Sequence, residues 1–318
     1  MNAKSRSLSP SRLAWRVFLK DRLAVIGMVV VLGFFALALI GRVVTWGESP
    51  YVDPRAVRLP DRLKPPLSAP NRDAVEAERL PGLGIYLLGS DELGRDVFAR
   101  MLEGAFVALS VGFVAVGIAV AVGLMFGGIA GYYGQRRVGF GRASLSVDAL
   151  ITALIDVMLS FPTFFLILTV VAVLRPSIWN IMIVIGLTSW TGTARFVRAE
   201  ILSLREQEFI QAARALGVPG GRVIARHLIP NAVAPVLVSA SLGIGSAILT
   251  ESALSFLGFG VPPPDATWGN ILADGKRYIF DAPWLTIVPG TAIFLVVLGF
   301  FAFGQGLREA FNPRLREG

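Results

Sequence analysis

Three acidic side chains lie within apolar stretches and are the first residues that could do chemistry: Asp148, Asp156 and Glu251. A carboxylate held at mid-bilayer costs a few kcal/mol, so each needs a cavity, a partner or a function. Asp148 and Asp156 are eight residues apart, which puts them near one face of a helix and is compatible with a paired-carboxylate or proton-relay role. Equally, Asp148 can sit at the membrane interface while Asp156 caps or pairs internally near Pro162. Glu251, in ILTESALSFLGFG, lies deeper and suits either a cavity or a helix–helix contact. The rest of the chemical inventory is thin. The chain has no cysteine and a single histidine, His227, which excludes thiol catalysis and any multi-histidine metal centre. Its four lysines, Lys4, Lys20, Lys64 and Lys276, follow no glycine-rich phosphate loop. No G-x-S-x-G, H-E-x-x-H or strand-borne G-x-G-x-x-G occurs. A chain that works against a gradient with these residues takes its energy from elsewhere.

The elements that position these groups are membrane spans. Of 318 residues 54% are hydrophobic and 16% charged, and the mean hydropathy is +0.65, outside the range of ordinary soluble domains. About 20 apolar residues cross a bilayer as a helix, and six such stretches are expected, at 23–44, 105–132, 145–174, 178–196, 232–259 and 284–307. The third contains Pro162. The resulting fold class is all-α and polytopic, and lipid is the solvent of most of its surface. Net charge is +8, and its distribution follows the positive-inside rule rather than a nucleic-acid-binding pattern. Lys4, Arg6, Arg12, Arg16, Lys20 and Arg22 precede the first span. Arg136, Arg137 and Arg142 separate the second and third, and Arg195, Arg198, Arg205, Arg214, Arg222 and Arg226 cluster between the fourth and fifth. Arg308, Arg314 and Arg316 follow the sixth. Alternate segments are therefore cytoplasmic, both termini included. The loop 47–104 carries eight basic and ten acidic residues and is proline-rich; it faces outward.

One cytoplasmic segment, EFIQAARALGVPGGRVIARHLIPN at 208–231, is polar and ordered. Phe209, Ala213 and Leu216 fall on one helix face, and Gln211 and Arg214 on another. Gly217 supplies a helix C-terminal cap, Pro219 to Gly221 a turn, and a second short amphipathic run is closed by Pro230. The result is a helix–turn–helix projection, either lying on headgroups or serving as a docking knob.

QAARALG, nine residues, then HLIP, resembles the cytoplasmic loop of binding-protein-dependent ABC importer permeases, E-A-A-x-x-x-G-x₉-I-x-L-P. Ala212, Ala213, Gly217 and Pro230 match in register. Gln211 stands where the family carries Glu, His227 where Ile is usual, and Ile229 where Leu is usual. The likeness extends along the chain. FLKDRLAVIGMVVVLGFF is similar to the first span of the C-type permease of peptide and nickel importers. LLGSDELGRDVFARMLEGAFVALSVG is similar to their G-T-D-E-L-G-R-D-V segment, carrying Asp91, Gly94, Arg95 and Asp96. Ser90 replaces the usual Thr, a conservative change for a helix cap. IDVMLSFPTFFLIL, LTESALSFLGFGVPPPDATWGNILADGKRYIFDAPW and LREAFNPRLR also fit, whereas 71–83 looks like an insertion.

The resemblance implies a type I ABC importer architecture: a cytoplasmic tail (1–22), a first span (23–46), an extracytoplasmic loop (47–103), a permease core (104–307) whose coupling loop is 198–231, and a tail (308–318). It implies a heterodimer with a B-type permease, two ATP-binding subunits and an extracytoplasmic substrate-binding protein. The site would be the cytoplasmic membrane of a bacterium or archaeon. No cofactor is expected in this chain, ATP and magnesium residing on the ATPase partners, and the chain itself is not an enzyme. Gln211, Ala212, Ala213, Leu216, Gly217 and Pro230 would couple it to the ATPase. Glu251, Trp268 and Asn270 would lie along the translocation path of a di- or oligopeptide, or of a nickel complex. The rival expectation is a proton-coupled secondary transporter using Asp148, Asp156 and Glu251.

Overall fold

The computed structural model describes residues 10–47, 50–74, 80–140 and 143–311. The tail positions 1–9 and 312–318, with Lys4, Arg6, Arg314 and Arg316, lie outside the described residues, as does Arg142.

A short amphipathic helix, α1 (Pro10–Lys20), leads into α2 (Arg22–Thr45), which Asp21 caps by accepting from the Leu23 amide at 2.9 Å. A long irregular segment, 46–96, precedes α3 (Val97–Tyr133), whose 37 residues give a rod about 55 Å long. The side chain of Asp96 caps it; Ser90 does not. The Ser90 hydroxyl instead binds the Asp61 carbonyl and accepts from the Lys64 amide, pinning the irregular segment. A two-stranded hairpin, β1 (Arg137–Phe140) and β2 (Ala143–Ser146), follows with Val138 opposite Leu145. Among the described residues it is the only strand pair, beside two isolated bridges, Ser68 with Tyr86 and Ser90 with Asp96, in the irregular segment.

The stretch expected as one span at 145–174 is two helices, α4 (Val147–Leu159) and α5 (Thr163–Val173), bent by 77° at the break before Pro162. Proline removes an amide and clashes with the preceding turn, so a straight continuation is unavailable there. Then come α6 (Ile178–Arg205), α7 (Glu208–Ala215), α8 (Gly220–Val223), a π-helical turn (Ile224–Leu228), α9 (Ile229–Phe256), α10 (Trp268–Gly275) and α11 (Trp284–Phe311).

Four helices, α2, α3, α9 from Pro235, and α11, are long and apolar enough to cross a membrane, and the bent pair makes a fifth. The remaining expected span, α6, is helical throughout its 28 residues, but Thr188, Ser189, Thr191 and Thr193 dilute its apolar character. Its packing nevertheless runs it alongside α3. Gly123 abuts Thr193, Gly127 abuts Ala194 and Val197, and Gly131 abuts Ile201. Both numbers rise together, so α3 and α6 are parallel, and the bent pair between them must return the chain across the bundle. By the same reasoning α9 is antiparallel to α3, with Gly112 against Ile248 and Val116 against Gly243.

The spans are locked by small residues rather than by greasy bulk, since lipid tails offer apolar side chains nothing less than a helix face does. A Cβ at Gly123, Gly127 or Gly131 would lie 2.6, 2.5 or 2.7 Å from α6 atoms. The main core joins α2, α3, α6, α9 and α11 around Val111, Ile181, Ile185, Ile248 and Val296.

Candidate functional sites at the two ends of the bundle

At the end of the bundle where α6 finishes, α7 forms a projecting knob. Its buried face is Ile210 and Ala213, and Ile210 joins Val197, Ile201 and Leu204 of α6, Val223 of α8, and Leu228, Ala232 and Val236 in a small separate core. Gln211, Ala212 and Arg214 are exposed, as are Phe209 and Leu216, the latter at 84%. The face expected to group Phe209, Ala213 and Leu216 is thus split: Ala213 turns inward and the two large residues face out. Gly217 sits at φ +76°, a backbone region L-residues avoid. Its amide donates to Arg214 O at 3.0 Å and that of Val218 to Ala213 O at 3.1 Å. These two bonds satisfy the helix's last carbonyls in a Schellman cap.

Pro230 does not close the second helix of the knob. The chain stays helical from Gly220 to Phe256, and Pro230 occupies the first turn of α9. Widening to a π turn accommodates it: the Ile229 amide reaches back to Ile224 O. One π turn can absorb what would otherwise be a clash. The knob is therefore continuous with α9 and packed onto α6.

The opposite end is built on buried charge. Asp91, Asp96, Arg95 and Arg100 are all at most 6% exposed. Asp91 accepts from the Leu93 and Arg95 amides at 2.9 Å, from Arg95 Nε at 2.6 Å and from Arg100 at 2.5 Å. Arg100 also reaches Asp274 at 3.3 Å and Asn270 at 3.4 Å. Through these contacts the irregular segment, α3 and α10 share one ion network. Gly94 lies within it at φ +72°, where a Cβ would fall 1.8 Å from Arg58 O; only glycine fits.

Of the residues expected along a path, Glu251 is fully buried and accepts from Ser255 at 2.6 Å and Ser252 at 3.5 Å. Trp268 is 1% exposed; its indole donates to Met101 O at 3.1 Å and meets Phe34 edge-on. Asn270 completes a capping box with Thr267 at the start of α10. All three fasten α10 and its neighbours. The small-residue cleft between α3, α6 and α9, about 200 Å³, is lined instead by Ala119, Ser189, Thr193, Ser246 and Thr250 among others.

Asp148 and Asp156 are both paired to α6. Asp148 takes a two-point contact from Arg198, both bonds at 2.5 Å, and Asp156 meets Arg195 at 2.6 Å. Sequence reading missed these partners, as it missed Arg100 and Asp274 in the other network. The signals were present but weak: two arginines three apart on α6, and an arginine one turn into an apolar helix.

The chain belongs to the family of binding-protein-dependent transport system inner membrane components, whose model matches residues 123–317. Residues 9–66 match the N-terminal transmembrane domain of oligopeptide transport permease C. The dipeptide transport system permease protein DppC of Alkalihalophilus pseudofirmus is 38% identical over 310 residues, covering 98% of this chain and 92% of that one. DppC of Bacillus subtilis is 32% identical, covering 99% and 89%. The probable D,D-dipeptide permease DdpC of Escherichia coli is 36% identical over 77% of this chain and 79% of its own. A solved inward-facing structure of the MetNI methionine ABC transporter shares the fold, with TM-score 0.50 and 18% identity, over 68% of this chain and 98% of that one. The chain is a multi-pass inner-membrane permease subunit of an ABC importer with the type I fold.

Proposed function

We propose that this permease is the C-type subunit of a peptide importer, and that α7 is the knob through which ATP hydrolysis on separate subunits drives it. The observation that carries the reading is the construction of α7: rooted in a core shared with α6 and α9, capped at Gly217, and tipped with exposed Phe209, Ala212 and Leu216. A rigid root with an apolar tip suits transmission of force to a groove on another chain. Gln211 and Pro230 complete the coupling set, the first on the exposed face and the second at the junction with α9.

In this reading the basic α7 end is cytoplasmic, with both chain termini, in the membrane of a bacterium or archaeon. The α10 end meets an extracytoplasmic substrate-binding protein. A related B-type permease completes the pathway, and two ATP-binding subunits, with ATP and magnesium, lie beneath. Closure of the ATPase pair moves α7, and with it α6 and α9, so that the cleft between α3, α6 and α9 changes its side of access. Asp91, Gly94, Arg95 and Asp96 hold the outer segment against α3, while Glu251, Trp268 and Asn270 set the position of α10 above the path. The names of the similar permeases favour dipeptides or longer peptides; a nickel complex is the other small solute that this reading admits.

The test is a pull-down of the tagged chain from detergent, comparing wild type with Gly217→Asp. The added Cβ meets no neighbour but is strained at positive φ. Wild type is expected to bring down an ATPase and a second permease, and the variant the permease alone. No ATPase with wild type, or equal recovery with both, overturns the reading.

A further inference from the structure

The buried network at the α10 end is short of one positive charge. Three carboxylates, Asp91, Glu92 and Asp274, share two guanidinium groups, Arg95 and Arg100. Asp91 and Asp274 take most of those contacts. Glu92 has one, its Oε1 to Arg95 at 3.2 Å, and its other oxygen, Oε2, is buried with no hydrogen-bond partner. A buried acceptor left unmade costs more than an ordinary hydrogen bond returns. Burial, with Asp91 and Asp274 beside it, pushes the Glu92 carboxyl above its usual range.

Glu92 and Asp274 line a cavity of about 530 Å³ that is not acidic throughout. Lys276 and Arg277 stand on the same wall set, and among the described residues neither forms an ion pair with a carboxylate. Lys276 lies 5.9 Å from the centre of the Phe256 ring. Phe256 and Leu257 give the cavity an apolar surface, and the Tyr278 hydroxyl is held by Arg62 at 3.0 Å. The volume is that of a small-ligand pocket. Carboxylates short of cations and cations without a carboxylate, all on residues lining one such volume, suit a ligand that carries both charges.

We propose that this cavity is a subsite for a short zwitterionic peptide, with Glu92 receiving the α-ammonium and Arg277, with Lys276, the α-carboxylate. Asp274 assists by its position but is already occupied by Arg95 and Arg100. An ammonium at the cavity face of the Glu92 carboxylate supplies the missing positive charge, while Phe256 and Leu257 contact the peptide's side chains. The site stands at the outer end of the bundle, where a peptide released by a binding protein would first meet this subunit. The inference rests on the peptide reading above.

The experiment uses the complete transporter with its binding protein in proteoliposomes, with dialanine and trialanine as probes. Peptide uptake and ATP hydrolysis are measured together for wild type, Glu92→Gln and Arg277→Ala. Glu92→Gln is expected to lower peptide moved per ATP by about tenfold, the scale of one charge-assisted hydrogen bond. Arg277→Ala acts in the same direction and, being exposed, also serves if Glu92→Gln reduces the amount of assembled complex. An equal fall in uptake and hydrolysis assigns the surface to binding-protein docking and overturns the subsite. Unchanged transport per ATP in both variants also overturns it. If wild type hydrolyses ATP with its binding protein but moves neither peptide, the peptide reading itself fails and the subsite falls with it.

Discussion

Asp96 illustrates how one side chain serves two opposed demands. It caps α3, accepting from the Phe98 amide at 2.9 Å, yet it is wholly buried. Burial pushes its carboxyl up to about 6, although the Phe98 and Ala99 amides and the Arg58 guanidinium pull the other way. A carboxyl raised in the folded state favours folding while protonated. Its contribution is fully present below the ordinary aspartate value near 3.8 and is lost as pH rises through about 6. Asp61, nearby, has the opposite sign: burial raises it, but Lys64, the Asn71 amide and the Tyr86 hydroxyl more than offset this and hold it below its usual value. Its contribution is present above 3.8 and is lost only as pH falls through its lower folded value, outside the Asp96 window. Asp96→Asn keeps a capping oxygen and removes the titration. The expected result is a smaller loss of thermal stability between pH 4 and pH 7 than in wild type, with little change at the acidic limit. Melting of the purified protein across that range checks it, and parallel curves for the two proteins would reject the assignment.

Among the elements, the seam between α3 and α6 carries the most demanding geometry. Gly123, Gly127 and Gly131 recur every fourth residue, and each faces α6 with no room for a methyl group. Gly117, one turn and a half away, has nothing within 4 Å of its notional Cβ. Gly127→Leu is therefore expected to destabilise the protein by about 1–3 kcal/mol, the usual scale of overpacking, and Gly117→Leu to leave it nearly unchanged. Thermal unfolding in one detergent separates them; equal melting temperatures would mean that the glycine seam does not hold the pair. The sequence shows three glycines at fourth-residue spacing but not their partner, because a stripe names a face and not what packs on it. The same limit explains the other gaps. Pro162 was visible as a proline, whereas the 77° angle between the two helices was not. Pro230 was read as a stop because proline usually ends a helix, and the π turn that absorbs it has no sequence rule behind it. The Asp91–Arg95 pair is local at four residues' spacing, but Arg95 and Arg100 also meet Asp274, more than 170 residues on. The knob was the most legible site, since its cap, turn and amphipathic face are all local.

At the scale of the whole molecule the two ends differ in kind, and the proposed orientation rests on that difference. Arg195, Arg198, Arg205, Arg214, Arg222 and Arg226 all fall between the middle of α6 and the start of α9, whereas the α10 end balances acid against base. The positive-inside rule predicts a cytoplasmic α7 end. The parallel course of α3 and α6 fixes the rest, because it forces α4 and α5 together to act as one crossing, bent as they are. Asp156 and Arg195 then face each other, each more than half exposed, and a charge pair in that position belongs against water or a partner subunit rather than lipid. The absence of cysteine makes the arrangement directly measurable. Leu216, 84% exposed, marks the α7 end, and Phe280, 96% exposed, follows α10. In cells, a membrane-impermeant maleimide is expected to label Phe280→Cys from outside and Leu216→Cys only after the membrane is opened and the ATPase subunits are stripped from it. Labelling of both from the same side would break the crossing count, since α9 alone separates the α7 end from α10. Labelling of Leu216→Cys alone from outside would invert the orientation and with it the proposed side of ATPase docking.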